Sequence, residues 1–142
     1  MTNPEFTTNS AEETINLGRD LATMLKPGTI VLLRGDLGAG KTTLVKGIAA
    51  AFHAAKEEDV TSPTFTLIHE YRGQDIRLCH IDLYRIDTQR ELDTLALDDL
   101  MDENSILLIE WGEKFPRFEQ ERDVDISLKR LSDTERKILV TK

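Results

Sequence analysis

The chain has 142 residues, with 26 acidic side chains against 18 basic ones and a net charge of −8. That length fits one domain over residues 1–142, large enough to bury a core of its own. The acidic balance gives no general attraction to a phosphate backbone and argues against direct, independent nucleic-acid binding.

Met1 to Ser10 is polar, and no long apolar run follows. The expectation is therefore a soluble, unexported, cytoplasmic protein that does not meet a membrane. Ser10-Ala11-Glu12-Glu13 has the pattern of a capping box and predicts a helix running to about Leu25, with Leu17, Leu21, Met24 and Leu25 as its buried stripe. Pro27-Gly28 turns the chain into Thr29-Ile30-Val31-Leu32-Leu33-Arg34, a short apolar, partly β-branched run that reads as a buried strand.

Directly after that strand stands Gly35-Asp36-Leu37-Gly38-Ala39-Gly40-Lys41-Thr42, a complete G-x-x-x-x-G-K-[ST] phosphate-binding loop. Glycines let the backbone curl so that successive N–H groups point at phosphate oxygens. Lys41 would reach the β- and γ-phosphates, and the Thr42 hydroxyl would take one corner of an octahedral Mg²⁺. Thr43 to Ala50 continues as a helix whose positive N-terminal end would face the anion.

Lys56-Glu57-Glu58-Asp59 is a charged break. Thr61-Ser62-Pro63-Thr64 follows as a hydroxyl-rich segment whose proline argues for a loop or a sheet edge. In switch-type nucleoside triphosphatases a loop in this place orders around the γ-phosphate and Mg²⁺; equally, such a cluster reads simply as a loop. Phe65 to Tyr71 and Ile76 to Leu83 are expected to pair as strands around Arg72-Gly73-Gln74-Asp75. Leu92, Leu95 and Leu100 predict a helix over Thr88 to Met101. Ser105-Ile106-Leu107-Leu108-Ile109-Glu110 is the most apolar strand, and Asp123 to Arg130 with Lys137 to Thr141 suggests a closing hairpin. Cys79 is the only cysteine, which excludes internal disulfides and thiolate clusters and suits a reducing compartment. His53, His69 and His80 are too scattered to suggest zinc. The expected fold is α/β: a single P-loop NTPase domain with a mixed, mainly parallel central sheet, flanked by helices and extended by hairpins.

Hydrolysis needs a carboxylate near the metal, and two strands end in one. Glu110 follows four apolar residues; Asp82 ends Leu78-Cys79-His80-Ile81-Asp82, a poorer version interrupted by a histidine. Ligands gather at the carboxyl ends of strands in open α/β sheets, so both acids could reach a metal. The alternative is that each caps its strand and faces water. Trp111 is either a partly buried anchor of the sheet or a surface aromatic gripped by a partner. There is no N-K-x-D motif and no D-x-x-G after the second acid, which counts against a small GTPase. No Arg-rich lid or acceptor domain suggests a small-molecule kinase.

Taken in order, Gly35 to Thr43, Ser62-Pro63-Thr64-Phe65, His80-x-Asp82-x-Tyr84-Arg85 and Glu110-Trp111 resemble the bacterial TsaE (YjeE) family, ATPase subunits of the tRNA threonylcarbamoyladenosine machinery. The likeness runs from about Ser10 to Glu113. It implies that Asp36, Leu37, Gly38, Ala39, Gly40, Lys41, Thr42 and Thr43 bind ATP, and that Thr42 and Glu110 hold Mg²⁺ directly or through water. Lys41, Asp82 and Glu110 would serve hydrolysis, Ser62, Pro63 and Thr64 would form the nucleotide-responsive loop, and Trp111 would report on nucleotide or partner. The resemblance further implies docking on a TsaD-type threonylcarbamoyltransferase subunit and its TsaB-type paralogue, which make the main tRNA contacts. The transferase modifies the adenosine beside the anticodon in tRNAs reading codons that begin with adenine. ATP hydrolysis would be slow alone, partner-stimulated and needed for turnover; the alternative is a nucleotide-gated interaction module in which occupancy alone regulates the complex.

Overall fold

The computed structural model describes residues 3–142; the first two residues of the polar N-terminal stretch lie outside the described residues. Eleven regular elements follow in order: β1 (Glu5–Thr8), α1 (Ala11–Ala22), β2 (Thr29–Arg34), α2 (Lys41–Ala51), β3 (Ile68–Gly73), β4 (Ile76–Asp82), α3 (Gln89–Thr94), β5 (Ser105–Glu110), α4 (Pro116–Glu121), β6 (Val124–Arg130) and β7 (Arg136–Thr141). The strands form one seven-stranded sheet in the order β1-β7-β6-β2-β5-β4-β3. Its centre, β6-β2-β5-β4, is parallel, and antiparallel pairings extend it on both sides. The mixed α/β architecture expected from the sequence is the one observed.

β2 and β5 lie at the middle because they can be buried on both faces, as parallel strands must be. Every residue of β5 is buried. Side chains alternate with period two. Val31 and Leu33 join the cluster beneath α1 and α2, whereas Ile30 and Leu32 join Leu92, Phe115 and Phe118 on the opposite face. α1 starts where its capping pattern places it: Glu13 N–H donates to Ser10 Oγ at 3.1 Å. The return bond runs one residue early, from Asn9 N–H to Glu13 Oε1 at 3.3 Å. The helix stops at Ala22, and Leu25 is buried just beyond it. α1 and α2 touch at glycines, since a Cβ on Gly18 would lie 2.3 Å from Leu44 O.

Four expectations need correction. The predicted helix from Thr88 to Met101 is α3 plus a 3₁₀ turn at Leu97–Leu100, separated by Ala96 in the left-handed conformation at φ 51°. The break drops Leu97 into the core beside Leu92, which one straight helix carrying Leu92, Leu95 and Leu100 would not do. β3 begins at Ile68 rather than Phe65, because Leu67 N–H donates to Pro63 O at 2.7 Å and closes a turn. β1 and α4 have no counterpart among the predicted elements. β1 is four residues at an edge, and α4 is six residues starting on Pro116 and pinned by the fully buried Phe118.

Cys79 is completely buried in β4, and burial pushes its thiol up to about 11. Thiolate is the reactive form, so Cys79 is expected to ignore a disulfide reagent at pH ~8 in the native protein and to react fully in denaturant. Fast labelling of the native protein would contradict this placement. Among the described residues, no helix is long and apolar enough to cross a membrane.

Candidate functional site

The site is built where the parallel strands end. β2 delivers Arg34, the chain curls through Gly35 to Gly40, and α2 starts at Lys41. Two glycines are sterically required. Gly40, the residue before α2, has φ 102° and ψ 17°, a region L-residues avoid. Gly35 lies so close to β6 that a Cβ would sit 2.7 Å from Leu128 O. Within the curl, Ala39 N–H donates to Asp36 O at 3.0 Å, Ala39 is buried, and Leu37 projects outward with 65% exposure.

The loop opens onto a cavity of about 290 Å³ bordered by Gly38, Thr42, Ser62, Thr64, Glu110 and Arg136, with Thr43 at its edge. Lys41 is buried at its floor. Its ammonium donates to Gly35 O at 2.5 Å, stands 3.4 Å from Glu110 Oε1 and lies 4.9 Å from the centre of the Trp111 ring. The lysine is thus held by a carbonyl, a carboxylate and an aromatic face together.

Strand register brings the two acids side by side. Glu110 pairs with Leu33 of β2 on one side and with Asp82 of β4 on the other. Neither faces water, as Glu110 is 4% exposed and Asp82 2%. Glu110 Oε2 accepts from His80 Nε2 at 2.5 Å. Burial pushes the Glu110 carboxyl up, but the hydrogen bond and charge of His80, with the Lys41 ammonium, outweigh it and hold it below the ordinary glutamate range. Asp82 Oδ2 accepts from Thr64 Oγ1 and Oδ1 from Tyr84 N–H, both at 2.9 Å.

The hydroxyl-rich segment is therefore tied directly to one of the acids. Ser62 Oγ and Thr64 Oγ1 are 2.7 Å apart, and Pro63 between them is buried. His69 of β3 fastens the ends of this loop, with Nε2 2.7 Å from Thr66 Oγ1 and Nδ1 3.2 Å from Thr61 O. Lys46 of α2 donates to Glu57 O and Val60 O at 2.9 Å each, anchoring the approach to the loop on the helix that begins at Lys41. Phe65 is left 83% exposed, with Arg85 over its ring.

Of the two readings made from sequence, the placement of Trp111 matches the partly buried anchor. It is half-buried, in a left-handed conformation at φ 63°, packed between Lys41 and Tyr84 with a ring separation of 5.2 Å to the latter. It belongs to the site rather than standing free on the surface.

Three residues at the site were not singled out as site residues by motif. His80 looked like an interruption of an apolar strand, yet it touches Glu110. Arg136 of β7 donates to Gly38 O at 3.3 Å. It also borders a second cavity of about 190 Å³, shared with Gly40 and Thr43 and walled by Ser10, Thr14 and Asp133. Spacing could not reveal Arg136, which lies 98 residues from Gly38 and arrives through pairing of β6 with β7. Ser10 was recognised only as a helix cap.

A family model described as "Threonylcarbamoyl adenosine biosynthesis protein TsaE" matches residues 8–138. A protein of Rickettsia bellii described as tRNA threonylcarbamoyladenosine biosynthesis protein TsaE is 36% identical over 141 residues, covering 99% of this chain and 96% of that one. The protein of the same description from Bacillus subtilis is 36% identical, covering 96% of this chain and 84% of its own length. Among solved structures, that of Bacillus subtilis YdiB superposes with a TM-score of 0.73 at 32% identity, over 99% of this chain and 86% of that one.

Proposed function

The chain belongs to the threonylcarbamoyl adenosine biosynthesis protein TsaE family, and on that premise we propose that it is a Mg²⁺-dependent ATPase that supports turnover of the enzyme complex making threonylcarbamoyladenosine in tRNA. The observation that carries this reading is the convergence of Lys41, Thr42 and Glu110 on one cavity at the carboxyl ends of parallel strands, with Asp82 beside Glu110 in register and hydrogen-bonded to Thr64 of the cavity wall.

The backbone amides from Gly38 to Thr43 and the Lys41 ammonium would hold the β- and γ-phosphates at the start of α2, where the helix dipole favours negative charge. Lys41 would have to leave Gly35 O to reach them. Thr42 Oγ1 and Glu110 border the same cavity and are both oxygen donors, the set a hard divalent cation prefers. Held by these two residues, a Mg²⁺ would supply neutralisation of phosphate charge and alignment of the bond to be broken. Asp82 Oδ2, now accepting from Thr64, would orient the attacking water once that hydroxyl lets go. The loop from Ser62 to Phe65 would in this way couple nucleotide occupancy to hydrolysis. Base and ribose would extend past Gly40 and Thr43 into the second cavity, whose mouth Arg136 borders.

The partners would be a TsaD-type transferase subunit and its TsaB-type paralogue. A net charge of −8 favours leaving the main tRNA contacts to them.

Asp82→Asn tests this assignment. It should bind nucleotide within about threefold of wild type but lower the hydrolysis rate on the order of 100-fold, with a parallel loss of tRNA modification when the transferase subunits are added. Normal hydrolysis by Asp82→Asn would remove Asp82 from the mechanism. If a non-hydrolysable ATP analogue sustained many modification cycles, the protein would instead be a nucleotide-gated module.

A further inference from the structure

In β4, Leu78, His80 and Asp82 share the face that packs toward α2, and Leu78 belongs to the core beneath that helix. An apolar side chain after Leu78 would simply extend the core. The chain instead places there a histidine with no solvent exposure, which carries a desolvation cost unless a partner offsets it. Nδ1 has no hydrogen-bond partner among the described residues, whereas Nε2 lies 2.5 Å from Glu110 Oε2. The side-chain hydrogen bonding of this imidazole is thus directed wholly at Glu110. The carboxylate is divided in consequence: Oε2 is taken by His80, and Oε1 is left toward Lys41 at 3.4 Å and the cavity.

We propose that His80 is a positioning residue that fixes the Glu110 carboxylate, holding Oε2 back so that Oε1 is presented to the cation site beside Thr42. Without that N–H, the nearest strong donor to Glu110 is the Lys41 ammonium. Both oxygens would then be free to turn toward Lys41 and away from the cation site. The proposal rests on the reading of Thr42 and Glu110 as the Mg²⁺ site, and it extends that reading by naming the residue that orients the carboxylate. Partners of this kind that hold a metal-ligating group typically change metal affinity by about 10- to 100-fold when removed.

The test compares His80→Leu, which keeps bulk and removes the donor, with His80→Gln, which can return an N–H to Oε2. ADP binding is followed by Trp111 fluorescence in EDTA and across a Mg²⁺ titration, alongside thermal melts. In His80→Leu, the Mg²⁺ concentration giving half the metal-dependent gain in affinity should rise about tenfold. Affinity in EDTA should stay within about threefold, because Lys41 and the loop amides remain. His80→Gln should recover most of the loss. In a Glu110→Gln background, His80→Leu should change the Mg²⁺ response no further. A wild-type Mg²⁺ response in His80→Leu would overturn the proposal, as would equal losses in EDTA and in Mg²⁺, or a His80→Gln variant as impaired as His80→Leu. Should His80→Leu fail to fold, His80→Asn, whose amide stops short of Oε2, takes its place against His80→Gln. If the wild-type protein itself shows no Mg²⁺ effect, the metal reading fails. The pairing is then judged from the ¹⁵N resonances of the His80 ring, which must move in Glu110→Gln and overturn the proposal if they do not.

Discussion

Lys41→Ala is expected to lower nucleotide affinity at least about 100-fold, since hydrogen bonds from a charged donor to phosphate contribute about 1.5–3 kcal/mol each and every 1.4 kcal/mol is tenfold. The loss should read as a flat Trp111 fluorescence titration and as an absence of thermal stabilisation by ligand, which mass action otherwise requires. The substitution should also weaken the protein without ligand. Lys41 is buried and stands 3.4 Å from a buried carboxylate; removing one partner of such a pair leaves the other charge uncompensated. His80 still holds Oε2, so the expected cost is about 2 kcal/mol, below the usual ~3–5 kcal/mol for a broken buried pair. The pH dependence has a definite sign. The folded Glu110 carboxyl lies below its ordinary value of 4.5. Its contribution is therefore present above that value and is lost as pH falls through the lower, folded one. The stability gap between wild type and Lys41→Ala should narrow in acid. Binding within a few-fold of wild type would show that the loop does not hold phosphate through this lysine.

Gly47→Ala should destabilise the fold by about 3 kcal/mol and lower the melting temperature by about 10 °C. Two effects oppose each other, and magnitude decides between them. At an exposed mid-helix position glycine to alanine gains about 1 kcal/mol from helix propensity. Here a Cβ would lie 1.9 Å from Ile15 O and 2.9 Å from Arg19 N. These are backbone atoms of α1 and cannot swing aside as a side chain would. α1 must retreat from α2, opening a close-packed contact, and α2 is the helix that carries Lys41 and Thr42 at its start. Nucleotide affinity should therefore fall along with stability. A variant as stable as wild type, or more stable, would mean that the two helices do not meet at this glycine.

The parts legible in the sequence are those whose cause is local. β2 reads as a strand because Thr29 to Arg34 is a run of apolar and β-branched residues between turn signals, and β5 reads the same way. Ser10 reads as a cap because one hydroxyl three residues from Glu13 suffices. The loop from Gly35 to Thr42 is legible because its glycines and its lysine answer to a backbone shape and a charge that need no distant neighbour. Asp82 and Glu110 could be picked out as strand-end acids, since an acid after an apolar strand falls at the carboxyl edge of the sheet.

What stayed hidden depends on pairing. The break at Ala96 follows from Leu97 needing the core beside Leu92, a demand made by the opposite sheet face and not by the local repeat. β1 exists as a strand because β7 offers an edge to Glu5 through Thr8; four mostly polar residues carry no pattern of their own. His80 looked like a flaw in an apolar strand because its reason for being there, Glu110, lies 30 residues away. Arg136 reaches the glycine-rich loop only because β6 lies beside β2 and β7 folds back along β6.

By itself, then, the sequence determined most of the elements, the α/β class and the family motifs, because propensity, capping and glycine geometry act over a few residues. Tertiary structure alone decided which oxygen of Glu110 faces Lys41, that Thr64 holds Asp82, and that Trp111 lies against the lysine. Hydrogen bonds and ion pairs act over about 3–4 Å, and only strand register and helix packing bring residues dozens of positions apart to within that reach.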